Sequence, residues 1–550
     1  MEKRYFLALL LAAAVVAITQ ILFPAGRSTP AVGPKSDTAT AVTRLEPRLE
    51  RQQSQVVPRV QAARNDSIST SLSTAELTTV VTPRSVYRFS NIGAVPVSVA
   101  LKEYRNLAPA GGMVELAVPG QPLLRYALVV SGDTVRLDRI PFRTRLVGDP
   151  LEGGVLTYDA SVSNLHVTIA YELVPDSFVL RVKGVVEGAG DKTYLLAQLP
   201  TSLKPAEADT VTDLRNLAFS FKPVKENAKI VSFGSLDPGE QELEGGPLAW
   251  AAIKNKYFVL GLLNPPGSAF SEITLKGGTR TSKLATNASA TAVKALNNGS
   301  FSLDIYVGPQ QSTQLIAMGR DFDHVNPYGW RFLQGVVQPI AALCIRLLLW
   351  MHQVLKLSYG WVLVIFGILI RVALWPLNQS AMRSSMKMQE IQPRLAEAQK
   401  KYKDKPEKQR EEIMKVYREA GASPFTALTG CLPALIPMPV LFALFFVFQN
   451  TIEFRGVPFL WLHDISIKDP LYILPVLMGI SMYLLSWIGL RNAPANPQAK
   501  MMSYMFPVMM TFILANMASG LNLYYTAQNI AALPQQWLLA QERARRKRSS

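Results

Sequence analysis

The stretch GWVLVIFGILIRVALWPL, from Gly360 to Leu377, is apolar along its length except for one charged residue, Arg371. An apolar run of this length is typical of a helix that crosses a lipid bilayer. A charged side chain at the centre of a bilayer costs about 2.5–3.5 kcal/mol, so Arg371 is expected to face protein or water rather than acyl chains. The stretch therefore predicts a membrane helix with one polar side.

Other long apolar stretches lie on both sides of this one, and together they predict six transmembrane helices. The additional spans are Tyr5–Phe23, Cys431–Phe448, Pro470–Leu490, Met501–Ala515 and Gly520–Leu539. The first follows Lys3 and Arg4, so residues 1–26 are predicted to be an uncleaved signal anchor, with cleavage as the alternative. Residues 335–357 carry Arg346, His352 and Lys356 among aliphatic residues, which predicts an amphipathic helix lying at the membrane interface.

The chain between the first two membrane segments has a different character. Residues 27–76 are rich in Thr, Ala, Ser, Gln, Pro and Arg, which predicts a flexible linker. From residue 77 to residue 320, short runs with period-2 alternation, such as Leu165–Tyr171, are separated by Gly, Pro, Asp and Asn. This pattern predicts an all-β sandwich domain.

The charge of the chain is distributed unevenly. The 550 residues carry 57 Lys+Arg and 40 Asp+Glu, a net charge of +17, and the mean hydropathy is +0.15. Residues 378–424 contribute +4, from 11 basic and 7 acidic residues, and the tail 541–550 contributes +4, from five basic residues and Glu542. By the positive-inside rule, the 378–424 loop, the 491–500 loop and both termini are cytoplasmic, which places the 77–320 domain outside. The tail can bind anionic lipid or ribosomal RNA, and no specific recognition of a nucleic-acid sequence is expected.

The 378–424 loop has helical periodicity in two parts. One part is marked by Ile391, Leu395 and Tyr402 and the other by Val416 and Tyr417, with a break around Pro406. This spacing predicts an antiparallel coiled-coil hairpin that docks a partner or an incoming chain, or else a solvated spacer.

The last span carries a polar stripe. Asn522, Tyr525, Thr526 and Asn529 recur at i, i+3, i+4 and i+7, so they share one helical face. Together with Arg371 they predict a hydrophilic cavity open to the cytoplasm. The alternatives are that Arg371 extends toward the headgroups and that the stripe forms hydrogen bonds between helices.

Signatures of catalysis and cofactor binding are mostly absent from the sequence. It has no G-x-x-x-x-G-K-[ST] phosphate loop and no H-E-x-x-H, and its four histidines lack metal-ligand spacing. The two cysteines, Cys344 and Cys431, are predicted near opposite faces of the membrane, which argues against a disulfide. We therefore expect no catalytic residue, no metal and no cofactor.

The membrane half resembles the YidC/Oxa family of membrane-protein insertases in its long bacterial form. The matching segments, in the order of the family, are Asp323–Trp330 (DHVNPYGW), Phe366–Leu377 (FGILIRVALWPL), Met388–Pro393 (MQEIQP), Gly430–Pro433 (GCLP), Met438–Pro439, Pro458–Gly479 (PFLWLHDISIKDPLYILPVLMG), Ser519–Tyr525 (SGLNLYY) and Asn529. Around the start of the third span, the sequence departs from the family pattern at Ser423, at Pro437 and in extra residues before Cys431.

The resemblance implies that residues 358–540 form a five-helix insertase core with a groove open to the cytoplasm and to lipid. Arg371 aligns with the groove arginine of the family, and Tyr525 lies where an aromatic residue of the last helix contacts substrate. The implied partners are nascent membrane proteins and lipid, with contacts to the ribosome and to a Sec-type translocon, and the implied location is the bacterial inner membrane. A groove that faces lipid needs no partner subunit. A solute transporter or channel, and an assembly factor acting through the β domain alone, are the competing classes.

Overall fold

The computed structural model describes residues 75–550, except for 191, 281–283, 327, 330–332, 377, 380–390, 392–393, 396, 399, 403–404, 420–437, 491–496 and 550. The predicted signal anchor and residues 27–74 of the predicted linker lie outside these residues. So do Ser423, Cys431 and Pro437, where the sequence departs from the family pattern.

The first half of the described chain consists almost entirely of β-strands. Their bounds are β1 Leu77–Val81, β2 Ser85–Ser90, β3 Val95–Arg105, β4 Met113–Glu115, β5 Arg125–Val130, β6 Asp133–Arg136, β7 Arg143–Val147, β8 Val155–Val162, β9 Leu165–Leu173, β10 Val179–Glu187, β11 Thr193–Gln198, β12 Ala218–Pro223, β13 Lys229–Ser232, β14 Gln241–Lys254, β15 Phe258–Leu263, β16 Phe270–Gly277, β17 Ala288–Ala295 and β18 Ser300–Pro309. In β9 every second side chain is buried, as the alternation in the sequence predicts.

The strands form two antiparallel sheets. The smaller sheet has the order β1-β2-β3-β4, and the larger, fourteen-stranded within the described residues, runs β6-β5-β11-β17-β16-β14-β15-β18-β10-β9-β8-β7, with β12 and β13 attached through β14. Phe89 of the smaller sheet packs on Tyr171 of the larger one, with 5.0 Å between ring centroids. One hydrophobic core includes residues of both sheets, so the prediction of a β-sandwich is confirmed.

The second half of the chain is helical. Two short helices belong to the first half, α1 Thr210–Arg215 between β11 and β12 and α2 Ser312–Ala317 after β18. The helices of the second half are α3 Gln334–Leu355, α4 Tyr359–Ala373, α5 Pro406–Glu419, α6 Met438–Asn450, α7 Ile473–Leu490, α8 Pro497–Leu514 and α9 Ser519–Ser549. The basic tail continues α9 instead of forming a separate segment.

By length and composition, two helices in the described part of the chain can cross a membrane, Gly335–Leu355 and Ile473–Leu490. Three shorter apolar helices are Tyr359–Ala373, Pro439–Asn450 and Ser503–Leu514. The six transmembrane helices therefore stay a prediction. The segment 335–357, expected to lie at the interface, contains one of the two helices long enough to span.

Helices α4 and α9 pack closely against each other. Gly367 of α4 lies against Tyr524 and Ala527 of α9, and a Cβ at position 367 would come within 2.9 Å of the Tyr524 carbonyl oxygen. Four residues further along α4, Arg371 contacts Gln535 of α9. Because both contacts advance in the same direction, the two helices run parallel, and the missing side chain at Gly367 lets their backbones approach closely.

The two segments of the predicted hairpin contact each other where they are described. Ile391 and Leu395 pack against Val416 and Tyr417. Arg394 also pairs with Glu419, with 3.0 Å between Nη2 and Oε2. A cytoplasmic position for this pair stays a prediction.

The loop between α6 and α7 attaches the helical half to the β domain. Its 3₁₀ turn Ile452–Phe454 places Ile452 in the hydrophobic core of the β-sandwich. At the other end of the loop, Ser519 and Gly520 at the start of α9 donate backbone hydrogen bonds to the carbonyls of Ile467 and Ile465. The loop thus contacts both the β domain and the first turn of α9.

Candidate functional site

Arg371 lies in the last turn of α4 and is 9% exposed. Its Nη2 donates a hydrogen bond to Oε1 of Gln535, at 2.9 Å. Gln535 is 1% exposed, and its Nε2 donates to the carbonyl of Trp375, at 3.1 Å. Arg371 is therefore held inside the helical half, and its position relative to the lipid headgroups stays a prediction.

The charge of Arg371 has no acidic partner among the described residues. The ion pairs of this part of the chain do not include it, and its electrostatic neighbours are the phenol groups of Tyr525 and Tyr524. Its Nε is buried without a hydrogen-bond partner in the described residues. The guanidinium consequently keeps a net positive charge and, among the described residues, a free donor between two helices.

The polar stripe of the last span forms hydrogen bonds between and within helices. Asn529 Nδ2 donates to Ser481 Oγ of α7, at 3.0 Å, and Asn522 Nδ2 donates to the carbonyl of Leu514 at the end of α8, at 3.0 Å. Thr526 Oγ1 donates to the carbonyl of Asn522 in its own helix, at 2.7 Å. Two of these contacts are hydrogen bonds between helices, which was the alternative explanation of the stripe. The role of the three residues in a groove stays a prediction.

The two tyrosines of α9 are placed differently. Tyr524 is fully buried, and its ring lies 5.9 Å from that of Phe366 on α4. Tyr525 is only partly buried and packs at the margin of the hydrophobic core of the helices. Tyr525 is thus the member of the stripe that is both near Arg371 and partly accessible.

Three further polar residues near Arg371 were not predicted from the sequence. Gln528 and Gln535 lie seven residues apart on α9, which brings a helical side chain back to the same face, and Asn378 lies five residues beyond the end of α4. Asn378 Nδ2 and Gln528 Nε2 are buried and lack a partner within the described residues. The available signal was the i, i+7 spacing of two glutamines in an apolar span.

Metal binding finds no support in the part of the chain that is described, because no group of three or more His, Cys, Asp or Glu residues there could hold an ion. The described polar groups around Arg371 are amides, hydroxyls and a guanidinium, which can bind an anion or a polar backbone through hydrogen bonds.

Two family models match the chain. Residues 350–547 match the 60Kd inner membrane protein family, and residues 77–343 match the YidC periplasmic domain. Among curated proteins, the membrane protein insertase YidC of Prosthecochloris aestuarii is 35% identical over 416 residues, 72% of this chain and 67% of that protein. The insertase YidC of Chlorobaculum tepidum is 33% identical over 407 residues, 70% of this chain and 66% of that protein.

The length matched varies among relatives. With the YidC of Chlorobium phaeovibrioides the alignment is 35% identical and covers 54% of this chain and 53% of that protein. The chain thus spans between about half and two thirds of the length of these relatives. Among solved structures, an active YidC insertase with its first transmembrane domain is similar at 19% identity and a TM-score of 0.34, covering 85% of this chain and 93% of that one.

Proposed function

This chain belongs to the YidC family of membrane-protein insertases, and we propose that it receives nascent transmembrane segments beside Arg371 and releases them into the lipid bilayer. The observation that carries the proposal is the buried Arg371, whose charge no carboxylate neutralises in the described residues. Charged residues within membrane helices usually pair with one another or with backbone carbonyls. An unneutralised arginine is suited to attract an acidic group that arrives from outside.

The attraction would act on the extracellular tail of the incoming segment. A carboxylate costs about 2.5–3.5 kcal/mol at the centre of the bilayer, and a guanidinium part-way across lowers that cost by pairing with it. The apolar part of the segment then leaves for the lipid, because each buried CH₂ group contributes about 0.8 kcal/mol. Transfer of the apolar part is favourable by itself, so the proposed mechanism needs no nucleotide hydrolysis and no cofactor.

The residues around Arg371 have separate roles in this proposal. Arg371 and the partly buried Tyr525 contact the substrate. Asn522, Thr526 and Asn529 form the wall of the groove through the hydrogen bonds they make to α7, α8 and their own helix. The buried amide groups of Asn378 and Gln528, which lack a partner among the described residues, support a polar groove, since an unpaired buried polar group costs about 1–3 kcal/mol.

The orientation follows the charges of the sequence. We place the β domain in the periplasm and the 378–424 segment with both termini in the cytoplasm of a bacterial inner membrane, where basic loops are retained. In this arrangement residues 1–26 anchor the chain, residues 27–76 form the linker and residues 358–540 form the insertase core. The basic cytoplasmic segments then face the ribosome, and contact with a Sec-type translocon is part of the same proposal.

Site-specific photocrosslinking tests the groove. A photoreactive residue at position 525, which leaves the charge of Arg371 in place, is expected to form adducts with a ribosome-bound nascent membrane protein. Position 372 is the matched control, because Val372 follows Arg371 on α4 and is 58% exposed. Equal adducts at 525 and 372, or none at 525, would contradict the proposed groove.

A further inference from the structure

Gln535 makes two hydrogen bonds that fix the direction of its amide. A carbonyl can only accept, so the amide group that faces the Trp375 carbonyl is the NH₂ group. The amide oxygen must then point the other way, toward Arg371 Nη2. With the side chain 1% exposed, water does not compete for either bond.

The partner that this arrangement gives Arg371 is neutral. A glutamate at the same place would form an ion pair with the guanidinium and cancel its charge. A glutamine accepts the same hydrogen bond and leaves the charge in place. Arg371 Nε has no hydrogen-bond partner among the described residues, so part of the guanidinium stays available to another acceptor.

We infer that Gln535 is a positioning residue for Arg371, which orients the guanidinium without neutralising it and thereby sets the preference for substrates with an acidic tail. The inference rests on the proposed function and deepens it. Gln535 acts through Arg371 and needs no contact with the substrate.

The substitution Gln535→Glu tests this inference in the full-length protein, reconstituted in vesicles and supplied with two forms of one substrate. The forms differ only in the tail, which is acidic in one and neutral in the other. The introduced carboxylate would pair with Arg371 and would turn an acceptor oxygen toward the Trp375 carbonyl. We expect insertion of the acidic-tail form to fall to the level seen with Arg371→Ala, while insertion of the neutral-tail form stays at the wild-type level.

Gln536→Glu is the matched control. It introduces the same charge one residue further along α9, where Gln536 lies against Gly489 of α7 rather than against Arg371. We expect this variant to insert both substrate forms as the wild type does. An equal loss in Gln536→Glu and Gln535→Glu would overturn the inference, because the effect would then come from any added charge on α9.

The outcomes separate the inference from the proposed function. If Arg371→Ala inserts the acidic-tail form normally, the charge-attraction mechanism itself fails. If Arg371→Ala loses that insertion and Gln535→Glu keeps it, only the role of Gln535 fails. A loss of both substrate forms in Gln535→Glu would show a packing role instead.

Gln535→Met is a second test of the inference, for use if the Gln535→Glu variant does not accumulate in the membrane. Methionine has a similar length and no charge, and it removes both hydrogen bonds while the charge of Arg371 remains. We expect a selective, smaller loss of acidic-tail insertion, and unchanged insertion of that form would contradict the positioning role.

Discussion

Arg455 and Glu207, which are 248 positions apart in the chain, form an ion pair with 2.7 Å between Nε and Oε1. Their side chains are 6% and 8% exposed, so the pair is buried where the α6–α7 loop meets the β domain. Arg455 Nη2 also donates to the carbonyl of Ala206, at 2.9 Å, and the guanidinium lies 5.4 Å from the ring centroid of Phe258. One arginine of the helical half thus makes three contacts with the β domain.

Replacing Arg455 by Ala is expected to loosen this junction. Removal of one partner from a buried ion pair typically costs about 3–5 kcal/mol, because the other charge stays buried. Burial raises the pKa of Glu207 against the opposing effect of Arg455, so part of this cost is relieved as Glu207 takes up a proton. Hydrogen exchange should become faster in residues 451–469 of the full-length protein, and Glu207→Gln should have a smaller effect.

An exposed ion pair provides the comparison for the junction. Arg181 and Glu172 lie on neighbouring strands, with 3.1 Å between them and side chains 54% and 37% exposed. Exposed pairs contribute about 0–1 kcal/mol, so Arg181→Ala should leave the exchange of residues 451–469 unchanged. If Arg455→Ala and Arg181→Ala behave alike, the junction does not depend on the buried pair.

Lys254 is expected to make the stability of the β domain depend on pH. It is buried in β14 with its Nζ against Asn326 Oδ1, and burial lowers its pKa from 10.5 to about 7. Above pH 7 the unfolded chain therefore binds more protons at this lysine than the folded chain does. The contribution of Lys254 to the free energy of unfolding should increase as the pH rises from about 7 toward 10.5, and should be constant below that window.

The pH dependence is measured as the difference between the wild type and Lys254→Met in thermal unfolding at several pH values. Between about pH 7 and pH 10.5, the thermal stability of the wild type should increase relative to that of Lys254→Met. Lys183, 72% exposed on β10, is the control site. A pH-independent difference for Lys254→Met, or the same trend for Lys183→Met, would contradict the assignment to buried Lys254.

Arg371→Ala is expected to reduce insertion of a substrate with an acidic tail, whereas Arg371→Lys keeps much of it because the positive charge remains. The measurement is protease protection of the translocated tail in vesicles that contain the full-length protein. Arg346, an exposed arginine of α3, supplies the matched control, and Arg346→Ala should insert the substrate normally. A normal result for Arg371→Ala would refute charge attraction.

Gly367→Leu should separate α4 from α9. Even a Cβ at this position would approach the Tyr524 carbonyl oxygen to 2.9 Å and the Ala527 Cβ to 3.3 Å, so a larger side chain requires the helices to move. Overpacking of this kind costs about 1–3 kcal/mol. Cross-linking between cysteines placed on α4 and α9 should become less efficient. Gly335→Leu is the control, because a Cβ there has open space around it; equal cross-linking in both variants would argue against close packing at Gly367.

The β-sandwich could be predicted from the sequence because its signal is local. Alternation along β9 reflects one buried and one more exposed face, and β8 and β10 show the same pattern, whereas β12 and β15 are buried throughout. The strand order could not be predicted, since β14 pairs with β12, β15 and β16, and which strands meet depends on contacts between distant parts of the chain. The docking of Ile452 in the core of the β domain was missed for the same reason.

The site could be predicted in part. A single charge in an apolar span singled out Arg371, because its cost in lipid is a property of the residue alone. Its partner Gln535 was missed, since glutamine is neutral and its importance depends on the parallel packing of α4 and α9. The spacing of Asn522, Thr526 and Asn529 correctly indicated a shared helical face, but spacing alone could not show that Ser481 and Leu514 supply hydrogen-bond partners there.

The hydrogen bond between Arg371 and Gln535 also affects how long a bound segment would remain. A carboxylate that pairs with Arg371 Nε, which has no partner among the described residues, leaves the hydrogen bond from Nη2 to Gln535 in place. The guanidinium then keeps its orientation while a tail is bound, but it offers that tail fewer donors than an arginine without an internal partner would. We therefore expect short residence times for acidic tails, which allows one segment to leave before the next arrives.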